Sequence, residues 1–169
     1  MSYQIDQSGK IEHTNRPTIV SLANSKTHTI KITAAQKQKL LKAAKEITQP
    51  KLNYVYKIFA VFIFLITKDE KINQLEIDKE YPGHESVIKD TLIYLYKKYE
   101  LTLPEINFVL VGKRSNCHKH ALAVYQEKEK PNIIVKAEKI FETLFLENPI
   151  GGKKIKRKGR RSSSGDDNP

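Results

Sequence analysis

The chain contains no tryptophan, one cysteine, one methionine, seven glycines and seven prolines in 169 residues. The single Cys117 excludes an internal disulfide framework and suits a reducing, cytoplasmic setting. The longest apolar stretch, Ile58 to Ile66, is about half of what a bilayer crossing needs, so no membrane partner is expected. The first residues, Met-Ser-Tyr-Gln-Ile-Asp, carry no basic segment followed by an apolar run, and no signal peptide is expected. Glycine loops that cradle phosphates are missing: neither a GxGxxG nor a GxxxxGKS/T run occurs, and Gly151-Gly152 falls near the C-terminus. Nucleotide-dependent chemistry is therefore not supported. No internal repeat or low-complexity stretch precedes residue 150.

What is present is a globular balance, with 39% hydrophobic and 29% charged residues. This length suits one domain, in which about two-thirds of the unfolded chain's surface is buried. The net charge of +11 is unevenly placed. Lys153, Lys154, Lys156, Arg157, Lys158, Arg160 and Arg161 put seven cations into nine residues, followed by Ser162-Ser-Ser-Gly-Asp-Asp-Asn-Pro. Without those seven, and with Asp166 and Asp167 restored, the first 152 residues still carry +6. Such a run between Gly151-Gly152 and a Ser/Gly/Asp end buries no apolar surface, so residues 150–169 read as a disordered basic tail after a domain spanning 1–149. Cations of this kind bind phosphate polymers by counterion release, without sequence specificity. The bland alternative is a solvated tail that aids solubility. DNA or RNA is the favoured partner.

The first third reads as strands. Tyr3–Gln7 alternates apolar and polar residues up to Ser8-Gly9, and Thr18–Ala23 and Thr27–Ile32 flank the hairpin-type turn Asn24-Ser25-Lys26. Three successive strands with short connections predict an antiparallel meander. The period then becomes helical over Ala34–Ile47, with Leu40, Leu41, Ala44 and Ile47 on one face. Pro50 interrupts it, and Leu52–Ile66 continues as an apolar helix expected to lie under the sheet. Its Tyr54, Tyr56, Phe59, Phe62 and Phe64 are surrounded by aliphatic residues, which favours core packing over base stacking. A strand over Ile72–Asp78, an amphipathic helix over Glu85–Tyr99 and an apolar strand over Ile106–Val111 follow. Ser115 then caps a helix over Asn116–Gln126, and Pro131–Val135 and Ala137–Leu146 complete the pattern as strand and helix. Later strands that alternate with helices join a sheet in parallel, so the expected class is α/β with a mixed sheet.

The chemistry-bearing residues are Asp6, Asp78, Glu80 and His118. Asp6 sits in mid-strand, where a carboxylate is costly unless paired, ligating or facing a wet site. In Leu75-Glu-Ile-Asp-Lys-Glu80, two-residue spacing puts Glu76, Asp78 and Glu80 opposite Leu75 and Ile77, with Asp78 and Glu80 at the strand's carboxyl end. Acidic groups brought together from separate strands repel unless a divalent cation compensates, and hard oxygen ligands suit Mg²⁺ or Mn²⁺. In a basic protein such a pocket invites phosphodiester cleavage, one metal activating water and the other stabilising the leaving oxygen. Each residue also has a plainer reading. Asp6 could hold the Ser8-Gly9 turn by an Asx-type bond, and Asp78 and Glu80 could end a strand in solvent before Pro82-Gly83. Glu76 reads as exposed or lysine-paired. His84, His118 and His120 read individually as surface or hydrogen-bonded histidines. Cys117-His118-Lys119-His120 has no second pair to complete a zinc site, and nothing identifies a partner for a Cys117 nucleophile.

The element order, an Asp in the first strand and an acidic pair closing the fourth together resemble the ribonuclease H-like superfamily, which includes RuvC-type resolvases. The segments that carry the resemblance are Tyr3-Gln-Ile-Asp-Gln-Ser-Gly9, Leu75-Glu-Ile-Asp-Lys-Glu-Tyr-Pro-Gly83 and Val109-Leu-Val-Gly-Lys-Arg-Ser-Asn-Cys-His118. It extends over residues 1–146 in element order. It implies a ribonuclease H-like mixed sheet of three antiparallel strands followed by alternating helices and parallel strands. It also implies two Mg²⁺ or Mn²⁺ ions that hydrolyse nucleic-acid backbones, with Asp6 as central ligand and Glu80, or else Asp78, as the second. His118 opens the late helix where an Asp is more usual, and 116–126 holds no carboxylate, so His118 would ligate or position the attacking water. Lys113, Arg114 and Lys119 stand beside that helix start as phosphate contacts. The expected function is a metal-dependent nuclease. The alternatives are a non-catalytic nucleic-acid-binding protein on the same scaffold and a protein-interaction module with a docking tail. A symmetric resolvase would act as a homodimer, although no heptad pattern offers one.

Overall fold

The computed structural model describes residues 2–47 and 53–146. Three strands come first: β1 (Ser2–Ser8), β2 (Thr18–Ala23) and β3 (Thr27–Ile32). Their pairing is antiparallel throughout, with Asp6 opposite Ser21 and Val20 opposite Ile30. The β2–β3 turn closes through Asn24, whose side-chain Oδ1 accepts from the Lys26 amide at 3.0 Å, the local bond that makes asparagine a turn residue. β1 ends at Gly9, where φ is +78° and an added Cβ would lie 2.2 Å from the Pro17 carbonyl oxygen. Only glycine fits there.

The helices α1 (Ala34–Ile47) and α2 (Tyr54–Thr67) precede β4 (Gln74–Asp78), α3 (Glu85–Lys98), β5 (Glu105–Val109), α4 (Asn116–Tyr125), β6 (Ile133–Ile134) and α5 (Ala137–Phe145). The six strands form one sheet in the order β5-β4-β1-β2-β3-β6. β4 runs parallel to β1, β5 to β4, and β6 to β3. The protein is thus α/β with a mixed sheet, three strands antiparallel and the others parallel, as the period changes along the chain predict.

The two faces of the sheet are covered unequally. Ile5, Val20, Leu22, Ile30, Ile32, Leu75 and Ile77 point into the main core. Under them lies α2, buried on nearly every side, as expected for a helix with no polar stripe. Phe59, Phe62 and Phe64 are fully buried there, so their rings are core and not a base-stacking surface. Each contributes about 1.5–3 kcal/mol of burial. On the opposite face α4 packs alone, placing Ala121 and Val124 against Ile19. Its buried Cys117 donates to the Ser21 and Gln4 carbonyl oxygens at 3.0 and 3.2 Å, and burial pushes the thiol up to about 12, which suits packing and not nucleophilic attack.

Several boundaries differ from the sequence expectation. The two helical segments expected between β3 and β4 are α1 and α2, the second described over Tyr54–Thr67 against an expected Leu52–Ile66. The break at Pro50 and the basic tail over 150–169 lie outside the described residues. β5 stops at Val109, because the amide of Val111 is drawn to the Asp78 side chain. The expected strand over Pro131–Val135 is reduced to the two residues of β6, which form the sheet's far edge. Among the described residues no helix is long and apolar enough to cross a membrane.

Candidate metal centre

The register between β1 and β4 builds the site. Ile5 stands beside Ile77 in parallel strands, so the next residues, Asp6 and Asp78, leave the sheet together on the α4 face. On that face one pair earlier, the Gln4 amide donates to Glu76 at 3.1 Å. Beyond Asp78 the chain turns sharply, with the Glu80 amide donating back to the Asp78 carbonyl oxygen at 2.8 Å. That turn brings Glu80 back to the strand end. One carboxylate oxygen from each of Asp6, Asp78 and Glu80 lies within 4.8 Å of the others.

Each carboxylate is held. Asp6, only 2% exposed, accepts from the Gln7 amide at Oδ1 (2.8 Å) and from His118 Nδ1 at Oδ2 (2.7 Å). The local bond goes to the adjacent Gln7 amide and not to the Ser8-Gly9 turn of the plainer reading, and a long-range partner, His118, accompanies it. Asp78 Oδ1 accepts from the Val111 amide at 2.6 Å, so this residue is built into the strand end and is not merely solvated. Burial raises the Asp6 carboxyl, with the Gln7 amide and His118 opposing. Burial, followed by the negative charges of Asp6 and Asp78, lifts Glu80 to about 7, against an ordinary value of 4.5. The mutual repulsion of these carboxylates is what a bound divalent cation would offset.

His118 reaches the cluster from α4. Ser115 caps that helix, its hydroxyl accepting from the His118 amide at 3.1 Å, as its sequence position predicts. With Nδ1–H donating to Asp6, the neutral ring keeps Nε2 as an acceptor. His118 is therefore bound to one of the three carboxylates and lies outside the three-residue cluster itself. The other histidines are elsewhere: His84 stacks on Tyr56 with centroids 3.8 Å apart, and His120 Nδ1 pairs with Glu129 at 2.9 Å. Lys113, Arg114 and Lys119 are exposed around the start of α4. The cations of 153–161 lie outside the described residues.

Two neighbours escaped the sequence reading. Lys10, in the loop after β1, lowers the Glu80 carboxyl by its charge and lies 5.9 Å from the Tyr81 ring centroid. Tyr81 is 6% exposed, its hydroxyl accepting from Gln7 Nε2 (3.1 Å) and the Ile11 amide (3.3 Å) and donating to Glu12 (3.3 Å). This network fixes the β1–β2 connection beside the cluster. Tyr81 follows Glu80 directly, but no periodicity signals a bond across that distance in sequence.

The donor set fits a hard divalent ion. Octahedral oxygens bound at about 2.1 Å lie about 3.0 Å apart when adjacent and about 4.2 Å when opposite. A spread of at most 4.8 Å therefore needs only a small contraction to close on one ion. Among the described residues these three form the one such grouping, which supplies ligands for a single ion. No family model and no curated protein matches the chain.

Proposed function

We propose that this protein is a metal-dependent nuclease of the ribonuclease H-like type, hydrolysing phosphodiester bonds in DNA or RNA. The observation that carries the reading is the convergence of Asp6, Asp78 and Glu80 at adjacent parallel strand ends in a chain of net charge +11. Three antiparallel strands extended by parallel ones from β1 are the architecture that the superfamily resemblance implies. Asp6, Asp78 and Glu80 would hold Mg²⁺ or Mn²⁺, which when bound activates water and offsets charge at the phosphate. His118, oriented by Asp6 through Nδ1, presents Nε2 as a proton acceptor for the attacking water. Lys113, Arg114 and Lys119 hold flanking phosphates as point charges, and the first-turn amides of α4 add a favourable dipole.

The test is cleavage of labelled DNA, RNA, hybrid and four-way-junction substrates by purified protein with Mg²⁺, Mn²⁺ or EDTA. Cleavage is expected only with metal, abolished in Asp6→Asn and lowered about a hundredfold in His118→Ala. A second reading, a non-catalytic nucleic-acid-binding protein, draws on the seven cations of 153–161. It gains the case if binding occurs without cleavage and is unchanged in Asp6→Asn.

A further inference from the structure

Beside the carboxylates, on the α4 face of the sheet, a pocket of about 440 Å³ is lined by Ser2, Gln4, Ala23, Asn24, Ser25 and Asn116. It shares no residue with the cluster but is built on β1, which carries Asp6, and on α4, which carries His118. Gln4 and Asp6 project from the same face of β1, about 7 Å apart along the strand. Asn116 opens the helix whose third residue, His118, binds Asp6. The chemistry of the pocket is nevertheless different, since its lining side chains are amides, hydroxyls and one methyl, with neither an ionisable group nor a ring.

That lining narrows the ligand. Among the described residues the pocket lining offers no cation to neutralise a phosphate and no ring as a stacking platform. Amides do provide a donor and an acceptor side by side, the pattern that reads the edge of a base. The Gln4 amide is already oriented, because its Nε2 donates to Glu76 and leaves the carbonyl oxygen as an acceptor. Asn116 also lines the pocket, exposed on the Ser115-capped first turn of α4.

We propose that this pocket is a base-reading subsite, taking the nucleoside next to the phosphate held at the carboxylates and recognising it by hydrogen bonds from Gln4 and Asn116 to the base edge. The proposal rests on the nuclease reading for the identity of its ligand. The strand then runs along β1 from Asp6 toward the β2–β3 turn at Asn24 and Ser25. Edge recognition discriminates among bases, whereas stacking tolerates all of them.

The experiment is an NMR titration of the full chain with adenosine, guanosine, cytidine and uridine, none of which carries a phosphate. Amide signals of Gln4, Ser25 and Asn116 should shift, with the preferred base at least tenfold tighter than the weakest, ~1.4 kcal/mol. Asn116→Ala, at an exposed position outside the core, should bring the four affinities within about twofold of one another. Equal affinity for all bases, absence of shifts at these residues, or a preference that survives Asn116→Ala would overturn the subsite. Mn²⁺ added to the same samples tests the metal centre separately, through broadening of the Asp6, Asp78 and Glu80 signals. Broadening without base preference sinks the subsite alone, and base preference without broadening supports the subsite while sinking the nuclease reading.

Discussion

Glu80 is the carboxyl in the cluster most opposed to ionisation, because burial and two negative neighbours act on it together. Its folded value of about 7 stands above the ordinary 4.5, so the folded protein holds a proton there that the unfolded chain has already released. Folding of the ion-free protein therefore loses stability as pH rises from about 4.5 through about 7. A divalent ion reverses the balance, since it binds the ionised carboxylate and must displace that proton. Mn²⁺ affinity measured by calorimetry should strengthen with pH up to about 7 and level off above it, with protons released on binding. Glu80→Gln should flatten this dependence. Affinity equally strong at pH 5 would mean that Glu80 is not a ligand. Lys37 shows the opposite sign: 1% exposed, it donates to the Lys10 carbonyl oxygen and to Thr18 Oγ1, and burial lowers its ammonium to about 8.

At the scale of the element, α4 joins the cap to the chemistry. Ser115 satisfies the amide of His118, and the same residue's ring meets Asp6, so fraying the first turn displaces both. Ser115→Ala should cost about 1 kcal/mol of stability, read from denaturant midpoints. It should also lower cleavage more than an equally destabilising change at the far end of α4, and equal losses would separate the cap from the site. The strands β1, β2 and β3 were legible because alternation and a turn asparagine are local signals, and the Ser115 cap was legible for the same reason. The end of β5 was not, because its limit is set by Asp78, which takes the Val111 amide from a distant part of the chain. β6 was over-read in length for a related reason: a short strand was expected over Pro131–Val135, yet only Ile133 and Ile134 pair, exposed on an edge. Asp6 and Asp78 could be named from sequence, but their adjacency depends on which strands pair and in what register. Lys10 and Tyr81 escaped notice because loop residues carry no periodicity.

For the whole molecule, the proposed nucleic-acid partner turns on the distribution of charge. Seven of the cations fall within 153–161, while the first 152 residues keep +6. Ending the chain at residue 152 should reduce the slope of log affinity against log salt by up to about 6, while leaving residual binding and the position of cleavage unchanged. A fluorescence anisotropy series over ionic strength measures the slope, and an unchanged slope would remove the tail from the binding surface. The unequal covering of the sheet has a kinetic meaning as well. Four helices lie on one side and α4 alone on the other, where Glu76, Asp78 and Asn107 are only half-buried beside the pocket. If the proposed nuclease reading holds, a strand of nucleic acid would meet this half-buried shelf directly among the described residues, and the encounter rate should follow ionic strength as electrostatic steering does.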